Sequence, residues 1–311
     1  MDLDHPILST YFWISTAQVS KICSLAEFKV LMRKTGVIFC GQSRLGKTKC
    51  CEIIEKTLKK THPRTFVALL PAVNREGNSQ ATVIQQLAKL LGVSLSRSKT
   101  RLSVFLEVVD TITFHSLESR GNQFVLLIDE LQRFGKDDFY QLADLYNSLD
   151  LKQIKMTVIS FAMPEIIDKR AEFLQTEQRQ IISRFMSEII SFKGIQSEEE
   201  IRIILKSYDD TSTYPEGSGI TYTRHFMPIA YENGFRLEQL SNYFWIELNK
   251  LCSGFYIKNL PMEHFMMSVK YFLITAERHD PIPQIAIQGL IKKSSEESNL
   301  AEFCKYGYES E

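Results

Sequence analysis

Short unbroken apolar runs alternate along the chain with stretches whose apolar residues return every third or fourth position. Val37-Ile38-Phe39-Cys40, Thr65-Phe66-Val67-Ala68-Leu69-Leu70, Phe124-Val125-Leu126-Leu127-Ile128 and Met156-Thr157-Val158-Ile159-Ser160-Phe161 have strand length and almost no alternation. Such runs suit strands buried on both faces. Helical periodicity fills the gaps, over about 16–34, 47–60, 79–91, 102–117 and 137–149, with another helix starting at Pro164. A fifth strand is expected within 186–192. This βα alternation predicts an α/β core with a parallel sheet covered by helices. Residues 1–15 read as an extended leader carrying Tyr11-Phe12-Trp13.

After about Ile195 the strand runs stop. Ser197-Glu198-Glu199-Glu200 has the pattern of a capping box opening a helix. Residues 211–220 form a loop, and helices are expected near 222–233, 236–251 and 262–277. The tail from about 280 is polar and is expected to be partly disordered. The predicted division is a core over 1–195, a helical lid over 196–278 and a tail over 279–311.

Composition narrows the choice. The chain has 311 residues, 44% hydrophobic and 24% charged, with 37 basic and 37 acidic side chains. Zero net charge argues against a protein that holds nucleic acid or membrane by bulk charge, while leaving room for a local basic patch. The six cysteines form no C-x-x-C pair, so a zinc site has little support. The opening Met1-Asp2-Leu3-Asp4-His5-Pro6 lacks a signal-peptide pattern, and the longest apolar runs fall far short of a membrane span. A cytoplasmic protein with reduced thiols and no membrane partner is expected.

The chemistry concentrates between the first strand and the first core helix. Gly41-Gln42-Ser43-Arg44-Leu45-Gly46-Lys47-Thr48 matches G-x-x-x-x-G-K-[ST] in full, with Lys49 following. Glycines let the backbone curl so that successive N–H groups face phosphate oxygens. Lys47 places a cation on the β- and γ-phosphates, Thr48 ligates Mg2+, and the helix dipole adds to both. Leu126-Leu127-Ile128-Asp129-Glu130 ends a buried strand with two acids, at the sheet edge where open α/β proteins bind ligands. Asp129 is expected to hold Mg2+, and Glu130 to orient and deprotonate an attacking water. Ser160, after the next apolar run, is a candidate for the space between γ-phosphate and water.

This order of motifs, with a downstream arginine and a helical region, resembles the AAA+ ATPases. Within them the chain is similar to the TnsC/TniB regulators of transposition, relatives of MuB. The likeness rests on the approach Lys34 to Gly41, on Ile128-Asp129-Glu130-Leu131-Gln132-Arg133-Phe134, and on Ser160-Phe161-Ala162-Met163-Pro164-Glu165 with Gln180-Ile181-Ile182-Ser183-Arg184-Phe185. It implies an ATP- and Mg2+-dependent ATPase that forms a ring or filament of like subunits on double-stranded DNA. It also implies a link between a target-selection protein and a transposase. Arg184 best fits the arginine that reaches a neighbour's γ-phosphate, with Arg170 and Arg179 close by. Gly234-Phe235-Arg236 resembles a turn that carries a second nucleotide-sensing arginine, while Ala162 stands where relatives often have glycine. Other AAA+ modules such as helicase loaders, and nucleotide-switched signalling or defence ATPases, are the alternatives.

A DNA contact is expected in Ser94-Leu95-Ser96-Arg97-Ser98-Lys99-Thr100-Arg101, where Arg97, Lys99, Thr100 and Arg101 gather groups that grip phosphates without reading bases. Arg120, just before the acidic strand, is a second candidate.

Overall fold

The computed structural model describes residues 4–9, 14, 16–73, 81–96 and 98–306. The chain divides into two compact units, one of residues 21–43 and 47–192, the other of residues 1–20, 44–46 and 193–311.

The first unit is built on five parallel strands, β1 (Gly36–Cys40), β2 (Phe66–Pro71), β3 (Gln123–Asp129), β4 (Lys155–Ala162) and β5 (Ile189–Ser191). Their order across the sheet is β2-β3-β4-β1-β5. Every residue of β1 and β3 is buried, which explains why their sequence shows unbroken apolar runs. Between the strands run α1 (Ala17–Leu31), α2 (Lys47–Thr61), α3 (Val83–Leu90), α4 (Arg101–Glu118), α5 (Lys136–Leu151), α6 (Glu165–Gln175) and α7 (Arg179–Phe185). The expected 79–91 helix starts later, at Val83, because Thr82 caps it in a reciprocal box with Gln85. Strand β5 is shorter than expected.

The register brings the ends of the strands level. Ile128 of β3 lies beside Ser160 of β4, and Ser160 beside Ile38 of β1. Side chains alternate along a strand, so Ser160 takes the face of Ile38 and Ile128, opposite to that of Asp129. β4 also runs two residues past Ser160, to Ala162. Ser160 therefore sits inside the strand and not at its end, where the sequence placed it.

Asp138 ties two helices together. It is fully buried, and its carboxylate accepts from the N–H of Val83 (2.9 Å) at the start of α3 and of Gly135 (3.0 Å) at the start of α5. Each bond satisfies a helix-end donor that has no intrahelical partner.

The second unit is helical, with α8 (Glu198–Asp210), α9 (Tyr222–Phe226), α10 (Pro228–Glu232), α11 (Ser241–Leu251), α12 (Met262–Glu277), α13 (Gln284–Glu296) and α14 (Leu300–Tyr306). Ser197 caps α8 by accepting from Glu200 N–H, but the Glu200 carboxylate reaches Gln196 N–H, so only half of the expected box closes. The helix expected over 222–233 is two helices. Pro228 has no N–H to continue the first and opens the second instead. The tail is a correction of the sequence reading: α13 and α14 are ordered helices that bury Ile291, Leu300 and Cys304. Residues 1–20 group with this unit and not with the core, and residues 5–9 form a short 3-10 turn there. Tyr11, Phe12 and Trp13 lie outside the described residues. No helix among the described residues is long and apolar enough to cross a membrane.

Replacing Asp138 with alanine is expected to cost about 2–4 kcal/mol, since it strands two helix-end N–H groups at once, one buried and one half-buried. Asn, which keeps one acceptor oxygen, should lose less. Urea unfolding of the two variants measures the difference.

Candidate functional site

Gly41 follows β1 and bonds through its N–H to the Ala162 carbonyl (3.0 Å), so the loop leaves the sheet between β1 and β4. A Cβ on Gly41 would overlap the Phe192 carbonyl, which is why this position takes glycine. Gly46 has φ +102, a conformation open to glycine and strained for other residues. Between them Arg44, Leu45 and Gly46 group with the helical unit, where Arg44 pairs with Glu263 and lies 5.1 Å over the Phe303 ring. Gln42 and Ser43 are half-buried, as is Lys49, which pairs with Glu52.

Lys47 opens α2 and is buried, at 5% exposure. Its ammonium donates to the carbonyls of Gly41 (2.8 Å) and Gln42 (2.7 Å). Burial lowers its pKa, and the carboxylates of Glu130 and Asp129 oppose that shift. Both acids thus lie within electrostatic reach of the lysine.

Asp129 is the last residue of β3 and is 6% exposed. Burial raises its carboxyl above the usual range, and a hydrogen bond from the Thr48 hydroxyl works the other way. Its Oδ1 is buried with no partner among the described residues. An orphaned carboxylate oxygen beside a hydroxyl is the donor set of a hard divalent cation, so Asp129 and Thr48 fit Mg2+.

Glu130 adopts the left-handed region, φ +63 and ψ +45, which is costly for a residue with a side chain. Its carboxylate accepts from Gln132 Nε2 (2.7 Å) and lies 3.6 Å from the Arg133 guanidinium. Neither neighbour stood out as a site residue in the sequence.

The remaining candidates make contacts of their own. Ser160 is 1% exposed, and its Oγ has no partner among the described residues. Arg184 stacks over Tyr146 at 4.9 Å, with Nη1 buried and without a partner among the described residues. Arg170 is half-buried and Arg179 exposed. In the helical unit Arg236 lies 3.7 Å over the Tyr231 ring and donates to the carbonyls of Tyr231 and Phe235. In the basic loop, Lys99 pairs with Glu107 (2.6 Å), Thr100 caps α4 and Arg101 is exposed at its first position. Arg97 lies outside the described residues. Arg120 is exposed at φ +55. A cavity of about 300 Å³ opens beside this loop, lined by Ile84, Leu95, Lys99, Arg101, Phe105 and Gln141.

Residues 31–170 match the family model of the AAA domain. Among solved structures, the chain is similar to the ORC1 protein of Aeropyrum pernix in complex with DNA. That likeness has TM-score 0.50 and 14% identity, over 93% of this chain and 68% of that one. It is also similar to Drosophila ORC bound to DNA, with TM-score 0.47 and 12% identity over 91% and 59%. Domain III of the Thermotoga maritima replication initiation protein DnaA follows, with 0.42 and 13% over 91% and 94%. The fold is that of the AAA+ P-loop NTPases. No curated protein matches the sequence. In this fold Lys47, Thr48 and Asp129 lie at the C-terminal ends of the parallel strands, the edge at which open α/β sheets bind ligands.

A buried carboxyl with a raised pKa stabilises the fold most when protonated. That contribution is fullest below the ordinary carboxylate range and is lost as pH rises through the folded pKa. Asp129→Asn removes the buried charge and is expected to raise the melting temperature of the nucleotide-free protein at neutral pH. The same variant should lose the additional stabilisation that Mg2+ brings to nucleotide binding. Thermal melts with and without Mg2+ and nucleotide test both halves.

Proposed function

We propose that the chain is an ATPase that binds ATP with Mg2+ at Gly41–Thr48 and assembles with its own copies on double-stranded DNA. The observation that carries the nucleotide half is the Lys47, Thr48 and Asp129 cluster. A buried ammonium, a hydroxyl and an orphaned carboxylate oxygen meet at the end of a parallel sheet. ATP supplies the phosphoryl group and Mg2+ neutralises its charge. Lys47 holds the phosphates, Thr48 and Asp129 hold the ion, and Glu130 takes the proton of the attacking water.

The DNA half is supported by the cationic loop and by the fold likeness to an ORC1 protein solved with DNA. In this reading Lys99, Thr100, Arg101 and Arg120 meet phosphates, and Arg184 serves the neighbouring subunit's nucleotide. The sequence likeness to TnsC/TniB regulators carries the finer proposal, that the assembly couples a target-selection protein to a transposase. The ORC1 likeness favours a second reading, an AAA+ protein acting at replication origins. The two share the nucleotide and DNA chemistry and differ in the partner protein, so a pull-down with a purified transposase separates them.

Lys47→Ala should abolish tight ATP binding, read with a fluorescent nucleotide. Glu130→Gln should bind ATP and lose turnover by about 100-fold or more, the usual contribution of a positioned base. Normal turnover in that variant removes Glu130 from the chemistry.

DNA binding should weaken steeply with salt. Arg101→Ala should flatten the slope of log K against log salt by about one unit, equally on unrelated duplexes. Lys99→Ala should change it less, because Glu107 already neutralises that cation. Identical slopes for wild type and Arg101→Ala would remove this loop as the contact.

A further inference from the structure

The turn after Glu130 is braced from three sides. Gln132 and Arg133 belong to a short 3-10 turn, Leu131–Arg133, that follows β3 directly. The Gln132 side chain bridges in both directions. Its Nε2 donates to Glu130 Oε2 at 2.7 Å, and its Oε1 accepts from the N–H of Met163 at 3.0 Å, just past the end of β4. The half-buried Lys169 of α6 donates to the carbonyls of Gln132 and Phe134. Arg133 donates to the Ala72 carbonyl (3.0 Å), just past the end of β2. The turn is therefore pinned to β2, to β4 and to α6, and Gln132 carries that fixed frame to the Glu130 carboxylate by a hydrogen bond, with the Arg133 guanidinium 3.6 Å from the same oxygen.

The restraint matters because Gln132 donates the short hydrogen bond to Glu130, at 2.7 Å, while the Arg133 guanidinium stands farther off at 3.6 Å. The Glu130 backbone is left-handed, and its carboxylate, with that of Asp129, opposes the fall that burial imposes on the Lys47 pKa. In the pose that Gln132 holds, Glu130 thus lies within electrostatic reach of Lys47. A carboxylate on a flexible two-carbon stem loses catalytic geometry easily, and small misplacements cost rate steeply. An amide suits the task, since it donates to one partner and accepts from another at once.

We infer that Gln132 is a positioning residue that fixes the Glu130 carboxylate towards the nucleotide site and ties it to the end of β4. The inference rests on the reading of Glu130 as the base. Because Met163 leads into α6, whose Lys169 grips the same turn, a shift of α6 reaches Glu130 through two bonds and not through the nucleotide.

Two near-isosteric variants separate the halves of the bridge. Gln132→Glu keeps an acceptor for Met163 N–H but faces Glu130 with a second carboxylate instead of a donor. Gln132→Met removes both bonds. Each should lower kcat by about tenfold or more while leaving nucleotide affinity within about twofold, the signature of an interaction used in the chemical step and not in binding. Hydrogen exchange of the nucleotide-free protein supplies a readout independent of turnover. The Met163 amide should stay protected in Gln132→Glu and lose protection in Gln132→Met. Wild-type kcat in both variants, with Glu130→Gln inactive, overturns the positioning role and leaves the base assignment standing. A loss of kcat matched by an equal loss of nucleotide affinity also overturns it, since the effect is then structural. Full turnover by Glu130→Gln overturns the base assignment and this inference with it.

Discussion

One buried ammonium organises the candidate nucleotide site. Lys47 is taken out of water at the first turn of α2, where the helix dipole is positive and disfavours a cation. Two loop carbonyls and two nearby carboxylates answer its charge. The loop must curl back over the lysine to place those carbonyls, and Gly41 and Gly46 permit the curl. β3 must end beside the loop to place Asp129 and Glu130. The sheet order, with β3 and β1 on either side of β4, is what brings acid strand and loop together. Each of these features makes sense as an accommodation of one charge that has to be dry, reachable and compensated.

Other buried charges act as fasteners rather than as chemistry. Asp138 joins α3 to α5, and in the helical unit Asp209 accepts from Leu237 and Glu238 N–H at the entry to the turn before α11. Burial raises the Asp209 carboxyl, as it does Asp129, yet the outcomes differ. Both Asp209 oxygens have backbone donors, whereas Asp129 keeps one oxygen without a partner among the described residues. That asymmetry separates a structural carboxylate from one with capacity for a ligand, and it is the reason the site is read at Asp129.

The strands and the phosphate loop were legible because each is written in consecutive residues. Fully buried parallel strands need unbroken apolar runs, and the loop needs glycines at fixed spacing. The last two helices were not legible, for a physical reason. The buried face of α13 includes Ser294 and Ser295, which meet Ser268 of α12, and Ser298 follows just beyond it. Small hydroxyls satisfied within their own helix or by each other pack closely, yet they register as polar in any hydropathy pattern. The split at Pro228 is written in the sequence, since proline has no N–H to continue the first helix and suits the first turn of the second. In the site, Gln132 carried no signal, because a glutamine gains meaning only when two strands deliver a carboxylate and an N–H to its two ends. The pairing of Lys99 with Glu107 was equally hidden: eight residues apart, they meet only because the chain turns into α4 between them.

Two arginines that the sequence reading assigned to phosphate are both stacked on tyrosines of their own unit, Arg184 on Tyr146 and Arg236 on Tyr231. A cation over an aromatic face contributes about 0.5–1 kcal/mol at exposed sites. Charge-assisted bonds to phosphate are stronger and bidentate. Stacking alone therefore does not hold either arginine away from a nucleotide. The difference between them lies in the remaining hydrogen bonds. Arg236 donates to two carbonyls that it would have to give up, whereas Arg184 holds a buried nitrogen without a partner among the described residues. Releasing Arg184 gives up a weak ring contact and relieves an unsatisfied donor. Releasing Arg236 breaks formed bonds and leaves carbonyls behind. On these terms Arg184 is the better candidate to move towards a phosphate, and Arg236 serves as a brace of the turn in which it sits.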